Sequence, residues 1–293
     1  MNPIELSLFA SRIEAVCDEM GVVLRRAAFS PNIKERLDYS CAIFDAAGEL
    51  CAQAAHIPVH LGSMAYAMRD IVADIEWAAG DMVILNDPYL GGTHLPDVTL
   101  IAPVYIDDQL LGFVANRAHH ADIGANAPGS MPLSRHLDEE GLIIPPTRLL
   151  QRGEIDEQVF TPMMAALHDG ARARGDFLAQ ISANRCGVER LTQLINAMGG
   201  QSFCAGLGEL NEYAARLAQA ALADIPTGEY RFSDVMDDDG YGHRDITIHC
   251  KLTVSDDGIE LDFAGTCDQV AGNINAPLSV AAASVYYVFR CLM

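Results

Sequence analysis

Two apolar runs, Val98 to Tyr105 and Leu110 to Ala115, are separated by little more than Asp107-Asp108. Runs of that length around a two-residue polar turn are expected to close as an antiparallel hairpin. With Asp107-Asp108 as the loop, Asp97 lies opposite Ala118 and Leu95 opposite His120, and a slip of one residue is expected to change little. The hairpin thereby gathers His94, Asp97 and His120 at its open end, although 26 residues separate the two histidines.

Two imidazoles and a carboxylate on a rigid β scaffold can hold a divalent metal and leave positions open for water or substrate. Such an ion lowers the pKa of bound water and polarises carbonyl oxygens. The nearby Asp87, His119 and Asp122 are candidates to orient the ligands. The competing reading of each His-x-x-Asp is a histidine satisfied within the core. His56 and His60 flank Ile57-Pro58-Val59, where the proline means that a regular helix face is not assumed, so they read mainly as structural and secondarily as substrate contacts. Asn86 to Gly92 leaves a strand and reads as a flexible glycine turn facing substrate. The run Asp237-Asp238-Asp239-Gly240 reads as a solvated turn, because EF-hand spacing is missing.

Around this centre the pattern predicts a mixed α/β (α+β) protein. Asn2-Pro3 with Glu5 reads as a helix start, and Phe9, Ile13, Val16, Met20, Val23, Leu24 and Ala27 recur at helical spacing. Tyr39 to Phe44 and Met82 to Leu85 read as strands, 61–78 as a helix and 121–153 as a long ordered loop. Residues 155–223 read as helical; 229–235, 244–254 and 258–264 read as strands. The expected units are an α/β part at 1–153 with the hairpin site, a helical segment at 154–224 and a β-rich segment at 225–293. Residues 279–293 read as the opening of a buried helix, which suggests a chain truncated at its C-terminus.

Composition narrows the partners. With 19 basic and 40 acidic residues the formal charge is −21, which disfavours phosphate backbones and anionic lipid surfaces. Only Lys34 and Lys251 are lysines, and neither sits in a phosphate-loop motif, so ATP is not expected to bind this chain through a P-loop. The eight cysteines are scattered without a Cys-x-x-Cys pair, and the N-terminus lacks a signal-peptide pattern; both fit a cytoplasmic protein with buried thiols.

Longer motifs carry a resemblance. Ser30-Pro31-Asn32-Ile33-Lys34-Glu35-Arg36, His56-Ile57-Pro58-Val59-His60-Leu61-Gly62, Asn86-Asp87-Pro88-Tyr89, Gly91 to Asp97, Asn116 to Gly124, Pro128 to Pro132, Glu140-Gly141-Leu142 and Gly272 to Asn275 resemble the hydantoinase B / 5-oxoprolinase family. That family includes the N-methylhydantoinase B subunit and the acetone carboxylase large subunit. The resemblance implies one hydantoinase B-type unit with a divalent metal, manganese first and zinc or iron as alternatives, on motifs matching His94, Asp97 and His120. It also implies an ATP-binding hydantoinase A-type partner in a hetero-oligomer, and a small cyclic amide (5-oxoproline or a hydantoin) as substrate. His119 or Asp122 would act as base or support a ligand. Arg117 or Arg148 would hold a carboxylate or phosphate, and Asp87, His56 and His60 would contact substrate. The alternatives are a ketone carboxylase subunit and a non-catalytic fragment.

Overall fold

A computed structural model describes residues 1–55, 57–127, 129 and 131–293. The elements run α1 (Pro3–Ala27), α2 (Pro31–Lys34), β1 (Tyr39–Asp45), β2 (Leu50–Ala55), α3 (Pro58–Ala73), β3 (Met82–Leu85), β4 (Asp97–Ile106) and β5 (Gln109–His119). They continue with β6 (Thr147–Gln151), β7 (Glu154–Ile155), α4 (Glu157–Ala165), α5 (Gly170–Met198), α6 (Gly200–Leu222), β8 (Gly228–Asp238), β9 (Arg244–Ser255), β10 (Gly258–Asp262) and α7 (Leu278–Leu292). Seven antiparallel strands form one sheet in the order β2-β1-β5-β4-β3-β6-β7, and β10-β9-β8 form a second.

Helix α1 starts as its sequence dictates. The Asn2 side chain accepts from the Glu5 amide at 2.9 Å and the Glu5 carboxylate accepts from the Asn2 amide at 2.9 Å, with Pro3 at the first helical position. Its buried face (Phe9, Ile13, Val16, Met20, Leu24) meets α5. At Gly187 of α5 a β-carbon would stand 2.4 Å from the Met20 sulfur, so the two helices approach closely only because that residue has no side chain.

The seven-stranded sheet is apolar on both faces, and side-chain alternation sorts its residues cleanly. Cys41 and Ile43 of β1, Val98, Leu100, Ala102 and Val104 of β4, and Val114 and Ala118 of β5 belong to the core shared with α1, α4, α5 and α6. Ala42, Phe44, Ile101, Phe113 and Ala115 belong instead to the core under α3, with Met64, Met68 and Ile71. The helical stretch after 156 therefore packs directly on the sheet that carries the hairpin.

Three expectations change. In the segment 121–153, Thr147–Gln151 is β6, paired to β3, which the flanking prolines Pro145-Pro146 obscured. In α7 only Ser279 and Ala283 are buried, and Tyr286, Tyr287, Val288 and Leu292 are exposed. Asp239 is no solvated turn residue: it is buried, and its carboxylate accepts from the Tyr241, His243 and Gly272 amides and faces the His243 ring at 2.8 Å. All eight cysteines are free; Cys17 and Cys41 are buried, whereas Cys204, Cys267 and Cys291 are exposed. No helix among the described residues is long and apolar enough to cross a membrane.

Candidate metal centre

The hairpin closes at Asp107-Asp108, both with positive φ as a tight two-residue turn requires. Near the turn Ile106 faces Gln109 and Tyr105 faces Leu110. The register then shifts between Tyr105 and Val104, so that Val104 faces Gly112 and Asp97 faces His119. A shift of one residue exchanges the faces of every residue beyond it. Asp97, Thr99, Arg117 and His119 thus lie on the α3 side of the sheet, and Asn116 and His120 lie on the α5 side.

This register replaces His120 by His119 in the acid–imidazole cluster. His120 is buried against Phe177, its ring centroid 4.2 Å away, and its Nε2 lies 2.9 Å from Gln180 Oε1. The Gln180 amide nitrogen donates to Val98 O and Asn116 Oδ1, so Oε1 is the accepting end and the His120 proton sits on Nε2. Burial pushes the His120 pKa down.

On the α3 side, His94, Asp97 and His119 bring one donor atom each within 4.8 Å of one another, and Asp38, His60 and Asp97 form an overlapping second group. Asp97 is the hub. Its Oδ2 accepts from Thr93 Oγ1 at 2.5 Å and lies 3.2 Å from both His94 Nδ1 and His60 Nε2. The other His60 nitrogen meets Ser40 Oγ at 3.1 Å. Asp97 Oδ1 is buried without a hydrogen bond, its nearest cation His119 Nδ1 at 3.6 Å; that nitrogen is 3.7 Å from Asp38 Oδ2. His119 Nε2 faces the Gly129 carbonyl at 3.4 Å, which can only accept, so Nδ1 is the ring nitrogen turned toward the cluster.

Burial raises the Asp97 pKa, but His60, His94 and His119 outweigh it and hold the carboxyl well below the ordinary range. Burial lowers the His119 pKa, but Asp97 and Asp38 together outweigh it and leave it raised. The donor set fits a divalent cation: two imidazoles, a carboxylate fixed as an anion, and one buried oxygen left without a partner. Asp38 and Thr93 were not singled out from the sequence. Asp38 precedes β1, and only the pairing of β1 with β5 carries it to His119.

Tertiary bonds hold the cluster in place. Buried Asn86 donates to Leu95 O at 2.8 Å and Leu142 O at 2.9 Å and accepts from the Ile144 amide at 2.6 Å. The turn at Gly91-Gly92 is pinned rather than flexible: a β-carbon on Gly92 would lie 2.3 Å from Asn86 O, and Ser279 Oγ donates to Gly92 O at 2.6 Å. Asn86→Ala removes three hydrogen bonds, two of them to buried partners, so the chain is expected to lose about 2–4 kcal/mol of stability. Urea titration checks this as a lower midpoint at unchanged slope.

The remaining expected site residues lie elsewhere or are occupied. Arg117 is 1 % exposed, and its guanidinium donates to Thr99 Oγ1, Ser63 Oγ and Gly91 O, so it is buried as a strut of the fold rather than presented to a substrate. Asp122 caps the turn to Gly124 and accepts from the Asp169 amide. Asp87 caps Tyr89. Arg148 is engaged by Asp81 and the Glu76 carbonyl. His56 lies outside the described residues. Of the donor cluster, His94 alone faces open space; its side chain is 33 % exposed and it lines a cleft of about 260 Å³.

The sequence matches the Hydantoinase B/oxoprolinase family over residues 2–293. A protein of Methanocaldococcus jannaschii is 36 % identical over the whole chain, which covers 52 % of that protein. The 5-oxoprolinase of Dictyostelium discoideum is 35 % identical, again over the whole chain, covering 24 % of that protein. The crystal structure of an ATP-dependent caprolactamase from Pseudomonas jessenii superposes with a TM-score of 0.91 at 29 % identity, over 98 % of this chain and 50 % of that one. The chain thus spans about half the length, or less, of the relatives it matches. A family match from end to end, supported by this superposition, makes the chain a member of the hydantoinase B/oxoprolinase family.

Proposed function

We propose that this chain supplies the metal-bearing B-type part of an ATP-dependent amidohydrolase that opens cyclic amides, with 5-oxoproline or a hydantoin as substrate. The observation that carries the reading is the His94–Asp97–His119 cluster, with one partnerless buried oxygen, beside a substrate-sized cleft. The relatives support it: one is named for 5-oxoproline and another for caprolactam. No phosphate-loop motif occurs in the sequence. ATP is therefore assigned to an A-type partner in a hetero-oligomer, where a phosphoryl group passes from ATP to the amide oxygen. Water then adds to the carbonyl carbon, the ring C–N bond breaks, the nitrogen takes a proton and inorganic phosphate departs.

His94, Asp97 and His119 would hold the divalent ion, manganese first and zinc or iron as alternatives. When bound, the ion supplies Lewis acidity that acidifies water and polarises an oxygen. The chain's own residues set the geometry. Thr93 and His60 fix the Asp97 carboxylate through Oδ2 and leave Oδ1 facing the cluster. Asp38 orients His119 from beside Nδ1, and His94 meets the cleft. Asp122 and Arg117 act through the loops they fix.

Metal content by elemental mass spectrometry tests the assignment. About one ion per chain is expected in the wild type and His120→Ala, and little in His94→Ala and His119→Ala. Retention of metal by folded His119→Ala, with loss in folded His120→Ala, would return the ligand role to His120. A folded, metal-free wild type would remove the catalytic reading for this chain alone.

A further inference from the structure

The cleft beside His94 has a second chemical pole. Its lining includes Tyr89, Thr93 and His94 together with Arg135, His136 and Glu140. The segment 269–277 completes the lining. Asn273 Nδ2 donates to Pro132 O at 2.8 Å and so ties this segment to the stretch before Arg135, while Asn275 Nδ2 donates to Gly272 O at 2.8 Å within the segment. The cleft is therefore a formed feature of the fold.

Arg135 is the one arginine or lysine lining this cleft. Its guanidinium lies over the Tyr241 ring, 4.4 Å from the centroid, a contact that uses the π face of the ring and leaves the N–H donors to other partners. Like most arginines of the chain, Arg135 forms no ion pair among the described residues; what sets it apart is its place in the lining of the cleft that His94 shares. Two neighbouring acids have other partners. Glu139 accepts from the Arg135 backbone amide at 2.8 Å, and Glu140 accepts from Ser134 Oγ at 2.7 Å. In a chain of charge −21, an anion is repelled everywhere except where a local cation offsets the field.

We propose that Arg135 anchors an anionic oxygen group of the substrate, so that the cleft holds the ring within reach of both Arg135 and His94. The group is a carboxylate carried by the ring or the phosphoryl group that ATP places on it; both offer the planar or clustered oxygens that a guanidinium edge binds. The assignment rests on the proposed reading of His94 as the reacting end, and it makes the cleft selective for anionic cyclic amides or their phosphorylated forms over neutral ones.

Isothermal titration calorimetry tests it with 5-oxoproline, neutral pyrrolidin-2-one and inorganic phosphate, on wild type, Arg135→Gln and Arg135→Lys, each as purified and after chelator treatment. Arg135 is exposed, so the variants are expected to fold and to keep wild-type metal content. Arg135→Gln is expected to weaken an anion by about 10- to 100-fold, Arg135→Lys to recover part of it, and pyrrolidin-2-one to be indifferent. A loss confined to 5-oxoproline identifies the carboxylate, and a loss for phosphate identifies the phosphoryl group. Chelator-treated protein separates anion held by Arg135 from anion held by metal. Equal anion binding by wild type and Arg135→Gln, or no anion binding by wild type, overturns the proposal. Arg135-dependent binding in a chain free of metal would uphold it while removing the catalytic reading.

Discussion

Arg117→Ala is expected to cost about 3–5 kcal/mol of stability, seen as a thermal midpoint lowered by roughly 10 °C. The guanidinium donates from Nε to Thr99 Oγ1 at 2.8 Å, from Nη1 to Ser63 Oγ at 2.6 Å and from Nη2 to Gly91 O at 2.9 Å. It therefore joins β4, α3 and the glycine turn, the three pieces that carry Asp97, His60 and His94. Truncation strands two buried acceptors and one part-buried carbonyl and leaves a cavity, which together exceed the relief from removing a buried charge. That charge is costly to bury, since burial pulls the Arg117 pKa down to about 10 against the support of Asp97. Arg117→Lys is expected to rescue poorly, because a compact ammonium cannot span three acceptors set for a planar fork. Metal affinity should fall about 10- to 100-fold alongside, as when a ligand's supporting contacts are removed. An Arg117→Met chain as stable and as metal-loaded as the wild type would show that volume alone was needed.

Much of the fold is legible because apolar period and turn chemistry are local. The capping pair Asn2/Glu5 and the spacing from Phe9 to Leu24 specify α1, and Asp107-Asp108 specifies the hairpin. The hairpin's register was not legible. Sequence pattern favours unbroken pairing, yet the shift between Tyr105 and Val104 sits where both strands are apolar on either face. Without one polar face to mark the core side, nothing in the residues reveals the extra position. A slip of one residue was expected to change little, but it decides which of two adjacent histidines meets Asp97.

The candidate site was legible in proportion to how local its parts are. His94 and Asp97 share one short motif; His60 and Asp38 reach them only through packing of α3 and pairing of β1 with β5. Arg117 shows the converse error. An arginine beside two histidines suggests a substrate anion, but its acceptors are Ser63 and Gly91, distant in sequence, and they turn it into a fixed strut. Arg135 had no motif to mark it, because the cleft it lines is assembled from segments 141 residues apart, as the Asn273–Pro132 bond shows.

Asp97→Asn is expected to remove metal from the chain while leaving its shape nearly unchanged. The amide is isosteric, but it loses the negative charge that three imidazoles face and replaces one accepting oxygen by a donor. If nitrogen takes the Oδ2 place, it opposes the Thr93 hydroxyl and His60 Nε2; if it takes the Oδ1 place, it closes the one oxygen left for an ion. Either orientation damages the site. A wild-type chain held at 100 times its metal dissociation constant gains about 2.7 kcal/mol from binding, worth several degrees in thermal midpoint. Adding and chelating manganese should therefore move the wild-type midpoint and leave that of Asp97→Asn still. An Asp97→Asn chain that binds a full equivalent and shifts like the wild type would mean that the ion is held elsewhere. A folded wild type indifferent to manganese, zinc and iron alike would mean that the buried carboxylate is balanced by protonated histidines alone.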